Sequence, residues 1–195
     1  MRFESMADDI AALIRHLGLQ RAAIVGFSLG GGVALRTAIQ HPEVVDRLVL
    51  VSTTFKHYGW YPEMSAGMDQ MGPEMAEPMK ATPMYEVYEK VAPRVEEWPK
   101  LVTQLTGMIG LDYDWSAEVA RLPMPVMIVA GDADGLPPSH AVEFFELLGG
   151  GKRDAGFDRS GMTKHRLAIL PGVTHYDINV APSLAQAVIP FLDGA

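Results

Sequence analysis

Short apolar runs alternate along the chain with segments in which apolar residues recur at helical spacing. The runs predict strands that are buried on both faces, as parallel sheets require. Strands that alternate with helices form βαβ units, so we expect an α/β protein with a mostly parallel sheet of about four strands and flanking helices. Ser5 is the predicted N-cap of the first helix, and Gly18 is its predicted stop. The predicted strands are residues 21–26, 47–52, 125–130 and 166–170, and the predicted helices cover residues 5–17, 29–40, 139–148 and 182–192.

Two stretches depart from this alternation. The stretch from Thr54 to Leu122 is interrupted by prolines, and it holds six of the twelve methionines between Met64 and Met84 together with several aromatic residues. Because proline ends helices, this stretch predicts a set of short helices inserted between two strands of the sheet. The second stretch, residues 149–164, is rich in glycine and predicts an exposed loop. Its Gly-Gly-Gly-Lys run faintly resembles a phosphate-binding loop, but it lacks the P-loop spacing, so we favour a flexible surface loop.

Composition narrows the classes of partner. The 195 residues suit one domain, and the excess of 24 acidic over 16 basic residues gives a net charge of −8. This charge disfavours nucleic acid and anionic membranes as partners. The absence of cysteine excludes disulfides, thiolate metal sites and thiol nucleophiles. No apolar stretch approaches a membrane span and the amino end lacks a signal layout, so we expect a cytoplasmic protein. The six histidines are scattered, so we expect no metal and no cofactor.

A G-x-S-x-G motif follows the first predicted strand. It runs from Gly26 to Gly30 and places Ser28 between that strand and the next predicted helix. At such a turn a serine is exposed as a nucleophile, and the glycines allow the surrounding backbone to approach closely. The amino terminus of the following helix favours developing negative charge, and the amide of Leu29 is a candidate oxyanion donor. The alternative is a glycine-rich turn that merely contains a serine.

A nucleophilic serine needs a base, and the base needs an acid that orients it. The third strand ends near Asp132 and Asp134, and the fourth runs toward His175, so both ends lie at the sheet edge where active sites form. The order Ser28, Asp134, His175 is the triad order of one particular fold. We prefer Asp134 as the acid and keep Asp132 as a loop-shaping residue or a fallback. Taken one at a time, Asp132 or Asp134 also suits a loop turn or a helix cap, and His175 also suits a surface histidine with satisfied hydrogen bonds.

These motifs resemble α/β-hydrolases of the esterase/lipase-like branch that carry a helical cap. The resemblance implies Ser28 as the nucleophile, His175 as the base and Asp134 as its partner. It implies a core formed by residues 1–53 and 122–195 and a cap formed by residues 54–121. Methionines and aromatic residues of the cap would line an apolar site, although simple packing of the cap on the core explains them equally well. The residues we expect to bind substrate are Phe27, Trp60, Met64 and Met68.

The resemblance also implies strands and an oxyanion loop ahead of the first helix, which this sequence does not match. We therefore expect a truncated α/β-hydrolase fold that lacks roughly 60 residues or more. The second oxyanion donor normally comes from that loop, and losing one donor costs about a hundredfold to a thousandfold in rate. The strand at residues 21–26 would then have a bare edge, and bare edges promote association. We expect a homodimer that covers this edge.

Two functions follow from these observations. The first is a serine hydrolase that cleaves a small-molecule carboxylic ester through an acyl-enzyme. The same residues also serve thioesterases, amidases, lactonases, perhydrolases and carbon–carbon bond hydrolases, because a fold does not choose among chemistries. The alternative is a weak or inactive hydrolase that acts as a binding module, which the missing oxyanion loop favours.

Overall fold

Four parallel strands form one sheet in the computed structural model, which describes residues 1–194. They stand side by side in chain order, and each pairs in parallel with the next. The predicted parallel four-stranded sheet is therefore confirmed. The last strand continues beyond residue 170 because its pairing with the third strand resumes between Ala133 and Thr174 after a shift in register. The strands are β1 (Ala22–Phe27), β2 (Val45–Val51), β3 (Val126–Ala133) and β4 (Arg166–Thr174).

Eight α-helices lie in the described part of the chain, and the first begins earlier than predicted. Arg2, not Ser5, is its N-cap, and Ser5 falls inside the first turns. Phe3 is buried against the rings of Tyr113 and Trp115, which explains the earlier start. The helices are α1 (Phe3–His16), α2 (Leu29–Gln40), α3 (Pro62–Asp69), α4 (Pro83–Val91), α5 (Trp98–Ile109), α6 (Ser116–Val119), α7 (Pro138–Leu147) and α8 (Pro182–Leu192).

The two faces of the sheet bury separate apolar clusters. On one face, residues of α1, α2 and α7 pack on alternate strand residues such as Leu48 and Ile128. On the other face, Val188 and Phe191 of α8 pack on Val49 and Val129. Burial on both faces is what the continuous apolar runs predict.

The segment between β2 and β3 holds α3 to α6, where the sequence predicts a helical insertion. Its two ends lie against each other, since the amide of Trp115 donates to the carbonyl of Phe55 at 2.9 Å. Both of these side chains belong to the main core. The middle of the insertion has a small core of its own around Trp98, to which Met75 and Met79 contribute. Packing within the insertion, and not a substrate site, therefore explains these two methionines.

Strand β1 lies at one end of the sheet and pairs only with β2 among the described residues. Its Val25 side chain is 52% exposed.

Residues 149–164 form turns and irregular backbone, as predicted for a surface loop. No helix within residues 1–194 has both the length and the apolar character needed to cross a membrane.

Candidate active site

Ser28 occupies a sharp turn between β1 and α2. Its backbone has φ 52° and ψ −122°, a region that is strained for a residue with a side chain. The turn is fixed by a hydrogen bond from the Ser28 amide to the carbonyl of Val51, at 2.9 Å. A Cβ added to Gly26 would lie 2.4 Å from the carbonyl oxygen of Gly30. Glycine at position 26 therefore lets the turn close, and the turn holds the Ser28 hydroxyl at the carboxyl edge of the sheet.

Three side chains from three separate loops form a continuous hydrogen-bonded relay at this edge. Ser28 Oγ lies 3.0 Å from His175 Nε2, and His175 Nδ1 lies 2.9 Å from Asp134 Oδ1. Because an ionised carboxylate only accepts hydrogen bonds, Nδ1 carries the proton, and Nε2 is left to accept the proton of Ser28. The structure thus brings together the three residues that the sequence singles out, in the arrangement a nucleophile, its base and an orienting acid require.

The Asp134 carboxylate is buried and accepts four hydrogen bonds. Besides His175, its donors are the amides of Gly131 and Gly135 and the hydroxyl of Ser52. Burial by itself raises the pKa of Asp134, but the hydrogen bonds from these donors outweigh it and hold the pKa below the ordinary value of 3.8. The carboxylate is therefore ionised at neutral pH and can hold the His175 ring in one tautomer.

Asp132 does not approach the histidine in this way. Its Oδ1 accepts a hydrogen bond from the amide of Gly172, at 2.8 Å. This contact ties Asp132, near the end of β3, to a turn inside β4, where Gly172 has φ +69°. Of the two roles that the sequence leaves open for Asp132, the geometry matches the loop-shaping one.

Aromatic rings surround His175. The rings of Phe27 and Trp60 lie 5.2 Å and 5.4 Å from its ring, measured between centroids. Trp60 is carried here by the start of the insertion, because the Tyr61 amide donates to the carbonyl of Gly135, beside Asp134. The insertion is therefore attached directly to the loop that supplies the acid.

Met64 lies in the same region, whereas Met68 makes no hydrogen bond to the three residues of the relay. A Cβ added to Gly135 would lie 3.2 Å from Met64 Cε, so this methionine covers the loop of the acid. Met68 follows one helical turn later on α3, so it shares a helix face with Met64. Of the residues expected to bind substrate, Phe27, Trp60 and Met64 surround the relay.

Sequence reasoning misses two neighbours of the relay. Tyr176 stacks edge-on against His175 at 5.8 Å and is 81% exposed, and its only signal is its position next to the histidine. Ser52, fully buried at the end of β2, bonds to Asp134. Its signal is its place after a buried strand, since such ends converge at one sheet edge.

The amide of Leu29 opens α2 directly after the nucleophile. The first amides of a helix have no intrahelical acceptor, and the helix dipole adds partial positive charge at this end. The Leu29 N–H, beside Ser28, thus has no acceptor within the helix, as a donor to a substrate oxyanion requires. Within residues 1–194, no group of three or more histidine and carboxylate side chains has the arrangement of a metal site.

Comparison with known proteins finds similarity to one family. The sequence pattern of the family described as alpha/beta hydrolase fold matches residues 1–83. An AB hydrolase superfamily protein of Bacillus subtilis, YisY, is 29% identical over 154 residues, which are 70% of this chain and 58% of that relative. The chain thus spans less than two thirds of the length of this relative.

Solved structures of hydrolases share this fold. A hydrolase from Pseudomonas aeruginosa PA01 is 27% identical with a TM-score of 0.58, and the match covers 97% of this chain and 71% of that one. A thermophilic esterase from Thermogutta terrifontis has the same fold, with a TM-score of 0.65 at 19% identity, over 99% of this chain and 72% of that one. The matches in sequence and in structure are thus to α/β-hydrolases, the superfamily that the motifs around Ser28, Asp134 and His175 resemble.

Proposed function

We propose that this chain is a serine hydrolase that cleaves carboxylic esters through an acyl-enzyme on Ser28. The observation that carries the proposal is the relay from Ser28 Oγ through His175 to the buried Asp134 carboxylate, at 3.0 Å and 2.9 Å. Similarity to α/β-hydrolases in sequence and in fold supports a hydrolase in general. The choice of esters, and of these residues as the catalytic ones, is our inference.

The proposed reaction has two halves. In the first, Ser28 Oγ attacks the ester carbonyl carbon while His175 Nε2 takes the hydroxyl proton, and the carbonyl oxygen becomes an oxyanion beside the Leu29 amide. The C–O bond of the ester then breaks, and His175 returns the proton to the departing alcohol. In the second half, water attacks the acyl carbon while His175 Nε2 takes one of its protons. The bond between that carbon and Ser28 Oγ then breaks, His175 returns the proton to Oγ, and the acid is released. Asp134 stays ionised throughout and stabilises the charged histidine.

The surroundings of the relay favour apolar substituents on the substrate. Phe27, Trp60 and Tyr176 present aromatic surface around His175, and the Tyr176 hydroxyl lies 4.0 Å from the sulfur of Met64. Such surfaces accept short acyl or alkyl groups and adapt to irregular shapes through methionine. We therefore expect small apolar esters to be the preferred substrates. Thioesters, amides and lactones are the chemical alternatives, because the same relay serves them.

The test compares two serine variants. We expect the wild type to release p-nitrophenol from p-nitrophenyl acetate and butyrate and to be labelled by a fluorophosphonate probe. Ser28→Ala removes the nucleophile, so hydrolysis is expected to fall by about a thousandfold or more, and labelling to disappear. Ser139→Ala removes an exposed hydroxyl at the start of α7 and is expected to retain both signals.

The same experiment decides between enzyme and binding module. If the folded wild type and Ser28→Ala are equally inactive and equally unlabelled, the chain is not a serine hydrolase, and the binding-module alternative is favoured. If the wild type is labelled but hydrolyses neither ester, the nucleophile is competent and only the substrate class is wrong. Parallel assays with an acyl p-nitroanilide and a thioester then show whether an amide or a thioester bond is cleaved instead.

A further inference from the structure

A cavity lies at the edge of the sheet opposite to Ser28. Its volume is about 520 Å³, within the range of pockets that hold small organic molecules. It is formed by the end of α7, the loop of residues 149–163 and the start of β4. Because all four strands are parallel, the start of β4 is separated from the relay by the length of the sheet. The proposed ester hydrolysis makes no use of this cavity.

The charged side chains that line this cavity are all basic. Lys152, Arg153 and Arg166 contribute to its wall, whereas the two acids of the loop, Asp154 and Asp158, do not. Within residues 1–194, none of these three cations has a carboxylate oxygen within 4.0 Å. The chain has a net charge of −8, so carboxylates are in excess, yet none neutralises this group. Like charges around one cavity repel, and an anion between them would relieve that repulsion.

His165 adds a neutral donor to the same wall. The residue is only 5% exposed, and its Nδ1 accepts a hydrogen bond from the Val126 amide at 3.2 Å. Burial, followed by the charges of Lys164 and Arg166, lowers the pKa of His165 to about 4, so the ring is neutral near pH 7. Its single proton is then on Nε2, which has no hydrogen-bond partner in the described part of the chain and is not sealed from solvent.

The geometry of the loop supports the same interpretation. Gly149 and Gly151 have φ of +87° and +66°, so only glycine readily allows the chain to turn here and present Lys152 and Arg153 to the cavity. Arg166 is held in place, since its Nη1 donates to the carbonyls of Thr163 and His165 at 2.6 Å and 2.9 Å. A fixed guanidinium loses little freedom when it binds an anion.

We propose that this cavity binds a small organic anion that combines a phosphate or carboxylate group with an apolar body. Its oxygens would accept hydrogen bonds from Lys152, Arg153, Arg166 and His165 Nε2, a set that contains donors only. Its apolar body would contact Phe145 and Met162, which line the remaining wall. The glycine-rich run that lacks P-loop spacing thus forms part of an anion site of a different design.

Binding is measured by titration calorimetry on the Ser28→Ala variant, so that turnover does not interfere. The probes are phenyl phosphate, phenylacetate, inorganic phosphate and the neutral benzyl alcohol. We expect one of the two aromatic anions to bind, inorganic phosphate to bind more weakly, and benzyl alcohol not to bind. The comparison of phenyl phosphate with phenylacetate distinguishes the two possible head groups.

Two double variants, each added to Ser28→Ala, locate the site. Lys152→Ala with Arg153→Ala is expected to weaken binding at least tenfold, because it removes two of the four groups that would donate to the anion. Lys90→Ala with Arg94→Ala removes the same charge from the insertion and is expected to leave binding unchanged. Equal loss in both double variants, equal binding of benzyl alcohol, or no binding of any anion by the folded protein would each overturn the proposal. Because the probes do not report hydrolysis, these outcomes are independent of the function proposed for Ser28.

Discussion

Ser52 and Asp134 lie after neighbouring strands, and the Ser52 hydroxyl donates a hydrogen bond to Asp134 Oδ2. His175 Nδ1 donates a hydrogen bond to the other carboxylate oxygen, Oδ1. Ser52 is fully buried and has φ +49°, so the backbone is held in an unusual conformation at the point where its hydroxyl meets the acid. The acid is therefore oriented from two sides, by Ser52 after β2 and by the amides of Gly131 in β3 and Gly135 in the following loop.

Removing this hydroxyl is expected to slow ester hydrolysis without abolishing it. Ser52→Ala deletes one donor to the carboxylate, and a hydrogen bond to a charged group contributes about 1.5–3 kcal/mol, so kcat/KM should fall by about tenfold to a hundredfold. Because that donor lowers the pKa of Asp134, the acid limb of the pH profile of kcat/KM should move to higher pH. Both quantities are measured with p-nitrophenyl acetate.

Ser52→Gly provides the control for backbone strain. It also lacks the hydroxyl, but glycine adopts φ +49° without strain. If positioning by the hydroxyl matters, both variants lose similar activity and show the same shifted profile. If Ser52→Gly keeps full activity and an unchanged pH profile, the hydroxyl does not position the acid.

The two glycines of the G-x-S-x-G motif are expected to differ in their tolerance of substitution. A Cβ at Gly26 would lie 2.4 Å from the Gly30 carbonyl oxygen and 2.7 Å from Ala34 Cβ, whereas a Cβ at Gly30 would meet no atom within 4 Å. Gly26→Ala should lower the free energy of unfolding by about 1–3 kcal/mol, the usual cost of overpacking. Gly30→Ala should change the free energy of unfolding by less than about 1 kcal/mol, because the added methyl group has room and alanine favours a helix more than glycine does. Urea unfolding of both variants measures the difference, and equal losses would contradict this interpretation.

Much of this architecture follows from local signals in the sequence. Apolar runs buried on both faces predict the four strands. The G-x-S-x-G motif predicts the tight turn at Ser28, and the close approach of the backbone at Gly26 explains why that turn needs a glycine. The order of motifs along the chain favours Asp134 and His175, because parallel strands bring their carboxyl ends to one edge, but it leaves Asp132 as a fallback.

What the sequence could not predict depends on contacts between distant segments. The start of α1 is set by Phe3, which packs against Trp115 more than one hundred residues away. The assignment of Met75 and Met79 to a core within the insertion depends on Trp98, and periodicity alone does not distinguish that core from a substrate pocket. The basic cavity is missed for a similar reason, because its loop and the start of β4 meet only in the folded chain.

The homodimer predicted from the sequence stays a prediction that strand β1 makes testable. Along its outer side β1 has no neighbouring strand in the described residues, and Val25 is half exposed. We expect light scattering to show a mass that rises from monomer to dimer with concentration. Val25→Lys should shift the equilibrium toward monomer, because charged side chains on edge strands disfavour pairing. Val87→Lys, at an exposed position on α4, is the control, and a monomer at all concentrations would exclude the dimer.

A buried histidine is expected to make the fold less stable in mild acid. His140 is stacked on Phe55 at 4.4 Å, and its Nε2 has no hydrogen-bond partner among residues 1–194. Burial lowers the pKa of His140 to about 4, although the nearby charge of Glu143 acts to raise it. In the unfolded chain the same histidine has a pKa of about 6.5. Between these two values the unfolded chain binds a proton that the folded chain does not, so stability is retained above pH 6.5 and is lost as the pH falls toward 4.

Substitution of this histidine should therefore reduce the pH dependence of unfolding. From the pKa difference, His140 accounts for at most about 2 kcal/mol of the stability lost between pH 7.5 and 5.0. His140→Leu keeps a similar volume without a titrating group, so its unfolding free energy should fall by less over this interval. Part of the dependence should remain, because the pKa of His165 is also lowered to about 4. His16→Gln removes an exposed histidine and should leave the dependence as in the wild type, and an unchanged dependence in His140→Leu would show that His140 titrates normally in the folded chain.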